Sequence, residues 1–222
     1  LFPSQAYVDR IDDWLGEDIE RFTTRLFPPY WLAFDSAAHA RHAHLVRDAD
    51  ARGAFLELDT RVDEKRAATE ITLYAKDQPG MFAAVAGAMA AAGASIVDAK
   101  VFTTSDGMAL DGFWVQDAIG GPFDDAERLA LMLSLLEQAL AGDPAFDSAL
   151  DGKRDLPARR RAAHVISRVL VDNRASSKHT VVEINGRDRP GLLYDIGRAL
   201  TRLGLSIVTA HISTYGAQAV DV

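Results

Sequence analysis

Apolar and polar residues alternate along residues 69–75 (TEITLYA), the two-residue period of a strand rich in β-formers. The period then changes. Phe82, Val85, Ala86 and Met89 recur at three- and four-residue spacing, which predicts a helix with one apolar face. Asp77-Gln78-Pro79-Gly80 separates the two patterns, and Gly93 stands where a helix C-cap glycine belongs. Ser95, Ile96 and Val97 open a second strand ending near Thr104. Residues 108–118 (MALDGFWVQDA) predict a third, reached through a turn at Ser105-Asp106-Gly107. A second helix follows, with Asp124 as N-cap and Glu127 as its capping-box partner. Its stripe is Leu129, Met132, Leu133, Leu136 and Leu140, and Gly142 and Pro144 end it. Residues 164–171 (HVISRVLV) form a last strand.

The pattern repeats. Residues 77–103 align without a gap on residues 188–214, an offset of 111 with ten identities in 27 positions. The identities are Asp77, Pro79, Gly80, Ala88, Gly93, Ser95, Ile96, Val97, Ala99 and Thr103. That offset is too long for a solenoid repeat and suits two copies of a small domain. In copy two the helical face is Leu193, Ile196, Leu200 and Leu203, with Gly204 at the C-cap. The expected class is α+β, a ferredoxin-like β-α-β-β-α-β domain in tandem, with the second copy truncated before its second helix and last strand. One sheet face packs on two helices, and the other is left for a partner or a second copy. Residues 55–60 (FLELDT) also read as a strand, placed before copy one as 164–171 is placed before copy two. Each repeat could therefore begin one strand early, and such a strand could be exchanged between copies.

The first fifty residues differ. Val8, Ile11, Leu15, Ile19 and Phe22 have helical spacing, Phe27-Pro28-Pro29-Tyr30-Trp31 is a break, and a second helix runs through Ala51. The expected division is a helical connector at 1–53, a first domain at 54–175 and an incomplete second at 176–222. Residues 153–174 carry seven Lys/Arg against two Asp, read as a solvated linker and one strand face.

Composition narrows the classes. The 222 residues are 48% hydrophobic with a formal net charge of −8, ordinary for a globular chain and poor for a nucleic-acid binder. The longest apolar run, residues 81–94, is short of the roughly 18 residues a membrane span needs. The lack of cysteine excludes disulfides, thiolate zinc sites and a thiol nucleophile. A cytoplasmic location is expected. Leu1 is not a start methionine and residues 218–222 stop inside an apolar alternation, so a piece of a longer protein is expected.

The repeated Asp-x-Pro-Gly carries the chemistry. It joins a strand to a helix N-terminus, where N–H groups and the helix dipole favour an anion such as a carboxylate. Glycine lets a ligand approach, proline suits the first helical turn, and aspartate can cap the helix or attract an ammonium group. Donors for an anion beside one carboxylate suit a free amino acid. The bland alternative makes Asp77 and Asp188 caps, and Gly80 and Gly191 packing residues.

Strand–DxPG–helix–G-x-S-I-V resembles the ACT domain, a module that often binds amino acids. Two such modules after a helical segment containing FPPYWLAFDSAAHARHAHLV resemble the C-terminal part of the bifunctional uridylyltransferase/uridylyl-removing enzyme family, which modifies the PII nitrogen-signalling protein. The resemblance implies a glutamine sensor, or a sensor of another small amino acid. It also implies nucleotidyltransferase and HD-type hydrolase domains upstream, with Mg2+ expected there and no cofactor in this region. The matching positions are Asp77, Gln78, Pro79, Gly80 and Met81, and Asp188, Arg189, Pro190, Gly191 and Leu192. ACT domains pair side by side through helix one and strand two, which would place Ser95, Ile96, Val97, Ser206, Ile207 and Val208 along the groove between copies. The same pairing would support homo-oligomers. Other readings are a structural ACT module that docks without ligand, or the ACT region of another allosteric enzyme such as a stringent-response synthetase.

His39 and His42 share a helix face with His44 nearby, a spacing that could hold a metal, but no Asp/His pattern completes a hydrolase site. Core or surface roles are expected. His164, His179 and His211 receive no role, and the chain shows no nucleophile elbow, P-loop or GxGxxG motif.

Overall fold

The computed structural model describes residues 16–143, 146, 150, 166–177, 179–187, 189–208, 210, 212–215 and 218–222. Val8, Ile11, Leu15, Pro144, His164, Asp188, His211 and most of the basic stretch 153–174 lie outside the described residues. The described residues form two compact units. One takes in residues up to Arg61 together with Ile71–Gln78 and Lys100–Gly112; the other takes in Val62–Glu70, Pro79–Ala99 and residues from Phe113 onward.

The first unit begins with helices α1 (Gly16–Thr24), α2 (Pro28–Ala33) and α3 (Ser36–Arg52). The Phe-Pro-Pro segment, expected to be a break, makes its own short helix. Both prolines fall in its first turn, where a missing N–H costs nothing. Asp35 caps α3 by accepting the Ala38 N–H at 2.8 Å. Tyr30 is fully buried, with ring centroids 5.4 Å from Phe34 and 5.6 Å from Phe102. The His42 ring bridges the Tyr30 hydroxyl (2.8 Å from Nδ1) and Thr72 (3.3 Å from Nε2). Arg25 binds Asp50 at 2.7 Å, Asp106 at 2.9 Å and the Tyr74 hydroxyl. These helices therefore lie on the strand that carries Thr72 and Tyr74.

That strand is β2 (Ala68–Lys76), in a four-stranded sheet of order β1-β2-β4-β3 with β1 (Leu56–Asp63), β3 (Ser95–Lys100) and β4 (Met108–Gln116). This is the ferredoxin-like sheet, with its outer strand supplied before the repeat rather than after it. Eight of the nine β2 residues are buried, so both its faces are covered. The expectation of a face left for a partner is corrected at this strand: the connector helices occupy it. Helix α4 (Met81–Ala92) follows the first Asp-x-Pro-Gly and is buried nearly all round.

Helix α5 (Ala126–Ala141) starts one residue later than the capping box suggested, with Asp125 accepting the Arg128 N–H at 2.9 Å. Its buried residues are Met132, Leu135 and Leu136, while Leu133 of the expected stripe is exposed.

The second sheet has order β5-β6-β8-β7, from β5 (Arg168–Asp172), β6 (Val181–Arg187), β7 (Ile212–Tyr215) and β8 (Gln218–Asp221), all antiparallel. The strand read at 164–171 thus pairs with β6 of copy two and does not close copy one. Each sheet takes its outer strand from the segment before its own repeat, and neither strand is exchanged. Helix α6 (Leu192–Arg202) ends at Leu203, one residue before the expected Gly204. Residues 205–208 are irregular, so Ser206-Ile207-Val208 does not open a strand, and β7 starts four residues after Val208.

Candidate functional site

Each Pro-Gly is built as a tight turn. Gly80 has φ 86°, ψ 1° and Gly191 has φ 77°, ψ 7°, the geometry of the third residue of a type II turn. A side chain there would be strained, and proline is favoured at the position before. In copy two the Leu192 N–H closes the turn on the Arg189 carbonyl at 3.1 Å. Proline therefore precedes the helix and does not occupy its first turn, correcting that expectation. Asp77 also does not cap α4. Its carboxylate accepts the Thr103 hydroxyl at 2.8 Å, and its N–H donates to the Gly107 carbonyl at 3.1 Å.

Helices α4 and α6 pack against each other within the second unit. A Cβ on Gly80 would lie 3.8 Å from Thr201, one on Gly197 3.0 Å from Ala83, and one on Gly87 2.7 Å from Tyr194. Residue numbers rise on one helix as they fall on the other, so the helices run antiparallel. Small residues permit the close approach, and Phe146 packs beside Tyr194 with ring centroids 5.8 Å apart. Helix one pairs with helix one as expected of neighbouring copies, but the sheets remain two sets of four strands.

A cavity of about 450 Å³ lies beside this helix pair. Copy one contributes the α4 end and β3 start, through Ala90, Gly93, Ser95 and Ile96. Copy two contributes its turn, through Arg189, Pro190, Gly191 and Leu192, and the strand residues Ile212, Ala219 and Asp221. Arg128 of α5 supplies a further wall. The space is within the range of small-ligand pockets, and its apolar lining combines alanines with Ile96, Leu192, Leu193 and Ile212.

The expected residues divide unevenly. Ser95, Ile96, Arg189, Pro190, Gly191 and Leu192 come together here. Val97 lies half-buried in β3 outside the lining, and Ser206, Ile207 and Val208 lie in the irregular stretch after α6. Of the first loop, Asp77, Gln78 and Pro79 are exposed, Met81 is buried under α4, and none of them lines the cavity.

Two charged positions escaped the sequence reading. The Arg128 guanidinium donates to the Gly93 carbonyl at 2.8 Å and stacks on Phe123 at 4.3 Å, and no carboxylate pairs with it among the described residues. The repeat could not reveal it, because copy two has no counterpart of α5 among the described residues. Asp221 is 7% exposed on the opposing copy. A signal for it did exist. Ala109-Leu110-Asp111 matches Ala219-Val220-Asp221 once the second hairpin is taken as one residue shorter.

Asp111, the copy-one equivalent, is 1% exposed. It accepts the Phe102 N–H at 3.0 Å through one oxygen, and the other has no hydrogen-bond partner among the described residues. Burial, with the Asp77 charge adding to it, pushes this carboxyl up to about 8.

The histidine helix is structural. His39 and His42 are buried, and burial holds the His42 imidazole down at about 3, so it is neutral. Among the described residues no group of three or more His, Cys, Asp or Glu side chains could hold a metal ion, and no helix is long and apolar enough to cross a membrane.

Comparison with known proteins agrees with this architecture. The ACT domain model matches residues 69–137, and a model described as an ACR9-like, ACT-like domain matches residues 168–222. The chain is similar to the bifunctional uridylyltransferase/uridylyl-removing enzyme of Azospirillum brasilense, at 50% identity over 98% of this chain and 24% of that protein. The proteins of that name from Gluconobacter oxydans and Rhodospirillum rubrum are 47% and 45% identical, over 92% and 94% of this chain and 22% of each relative. The chain thus spans about a quarter of the length of these relatives. No solved structure matches it.

Proposed function

The chain belongs to the ACT-domain family, and we propose that it is the amino-acid-sensing regulatory region of a bifunctional uridylyltransferase/uridylyl-removing enzyme, with glutamine as its ligand. The observation that carries the reading is the cavity in which the copy-two turn meets Gly93, Ser95 and Ile96 of copy one. A cavity assembled from two copies responds to their relative placement, so occupancy favours one placement over others. The family resemblance supplies the output: the balance between uridylylating the PII signalling protein and removing the uridylyl group. Neither reaction is assigned to this chain, whose described residues contribute no catalytic constellation to the reading.

Isothermal titration of the chain with L-glutamine tests the proposal. Saturable heat at or below millimolar ligand is expected, with slower hydrogen exchange across residues 90–97 and 189–193. No heat at millimolar ligand overturns it. Oligomers that form identically with and without glutamine, and without exchange protection, would favour the docking-module reading.

A further inference from the structure

The second sheet ends on an open edge. β5 pairs with β6 along its whole length and has no strand on its other side among the described residues. A strand edge presents a row of backbone N–H and C=O groups that can pair with another chain, and natural proteins blunt such edges with charge. β1, the outer strand of the first sheet, is blunted in this way: Glu57, Asp59, Arg61 and Asp63 alternate along it. Pairing β1 antiparallel with itself about its middle sets Asp59 against Asp59, or Glu57 against Asp63. β5 differs. Its interior is Val169-Leu170-Val171, all three exposed, and its only charges are Arg168 at one end and Asp172 at the other.

That strand is complementary to itself. In an antiparallel pair centred on Leu170, Arg168 of each copy stands opposite Asp172 of the other, Val169 opposite Val171, and Leu170 opposite its own counterpart. Side chains directly opposite lie about 5 Å apart at Cβ, near enough for the ion pairs and for the apolar contacts. Because side chains alternate, the valine pairs share one face, and the leucine pair lies on the other face between the two ion pairs. The register is specific. Centring on Val169 sets Arg168 against Leu170, centring on Val171 sets Asp172 against Leu170, and parallel pairing in register sets like charge against like. Asp172 is also held in place: its Oδ1 accepts the Arg174 and Ala175 N–H groups at 2.6 and 3.1 Å, which fixes the carboxylate at the strand end.

We propose that β5 is a self-association edge, through which the chain forms a two-fold dimer by pairing β5 antiparallel with β5 of a second copy. Two four-stranded sheets are then joined edge to edge. About four to six backbone hydrogen bonds form along the two strands. The interface is isologous, so the Arg168–Asp172 pair occurs twice in it. The cavity takes its strand residues from β7 and β8 and from the start of β3, not from β5, so the dimer stands apart from the amino-acid reading.

Sedimentation equilibrium of the 222-residue chain tests the proposal. A reversible dimer is expected below millimolar chain concentration. Arg168→Asp and Asp172→Arg each set like charges opposite one another at both ends, and each should weaken the dimer at least about tenfold. An equal mixture of the two variants restores both matches and should recover a mixed dimer, which added salt weakens. Hydrogen exchange on the parent chain gives a reading that needs no variant: the amides of residues 168–172 should slow as the chain concentration rises. A parent chain that stays monomeric at millimolar concentration overturns the proposal. So does a dimer that both charge reversals leave within about twofold, or one in which the β5 amides exchange at the same rate at every concentration, because either result places the interface elsewhere.

Discussion

The two copies share a turn and differ in what covers them. β2 of copy one is buried at eight of nine positions, whereas its counterpart β6 in copy two is buried at one of seven, and the outer strand β5 is exposed at all five. Helix α4 buries ten of its twelve residues; α6 buries Tyr194 and Gly197. Ten shared residues reproduce the turn, its left-handed glycine and the helix that follows. They do not reproduce an environment, because burial depends on neighbours that the repeat does not encode. Copy one has connector helices on β2 and α5 beside α4, and its Asp111 is buried. The equivalent Asp221 faces a cavity.

The sharpest way to break this contrast is to damage the cover of copy one. His42→Ala removes a buried ring and its hydrogen bonds to the Tyr30 and Thr72 hydroxyls, and should cost about 3–5 kcal/mol. Val169→Thr on exposed β5 should stay within about 0.5 kcal/mol. Urea unfolding measures both, and similar losses would show that the copies are equally supported.

Next comes the contact between copies. A methyl on Gly87 would meet Phe146 at 2.6 Å and Tyr194 at 2.7 Å, so Gly87→Ala should destabilise by about 1–3 kcal/mol. The same change at Gly186, where nothing lies within 4 Å of an added Cβ, should fall within about 0.5 kcal/mol. A Gly87→Ala chain more stable than its parent would show that helix propensity outweighs this packing.

The buried aspartate predicts a pH effect. Folded Asp111 keeps a proton up to about pH 8, while the unfolded chain releases it near 3.8. Its contribution is complete below pH 3.8 and declines by about 1.4 kcal/mol per pH unit as pH rises toward 8. His42 acts in the opposite sense: the unfolded chain takes up a proton below 6.5, and stability falls as pH drops from there toward 3. Between 3.8 and 6.5 the two slopes offset each other, and from 6.5 to 8 Asp111 acts alone. Asp111→Asn should flatten the profile above 6.5 and uncover the acid loss from His42. An unchanged profile would remove Asp111 from the account. The smallest effect belongs to Asp125→Ala, the α5 cap, at about 1 kcal/mol by thermal melting.

Much of this was legible in the sequence because it is local. Alternation at 69–75, the Pro-Gly turn and the glycine closing α4 each follow from a few adjacent residues. The errors concern relations between distant segments. Alternation in β2 promised one buried face, but covering its second face needs the aromatic cluster around Tyr30, thirty or more residues away. Ser206-Ile207-Val208 copied the copy-one strand start without copying its partners. The cavity was half legible: the copy-two turn and Ser95-Ile96 carry the repeat signature, whereas Arg128 lies on a helix with no described twin. Asp221 hid behind a single-residue shortening of the hairpin.

The early outer strand has a consequence for synthesis and for growth of the chain. The strand that closes each sheet has left the ribosome before the rest of its sheet is made. Copy one can finish pairing without waiting for any part of copy two. Such a unit can also be duplicated end to end without opening an existing sheet, so the number of copies can change while each keeps its own hydrogen-bonded ladder.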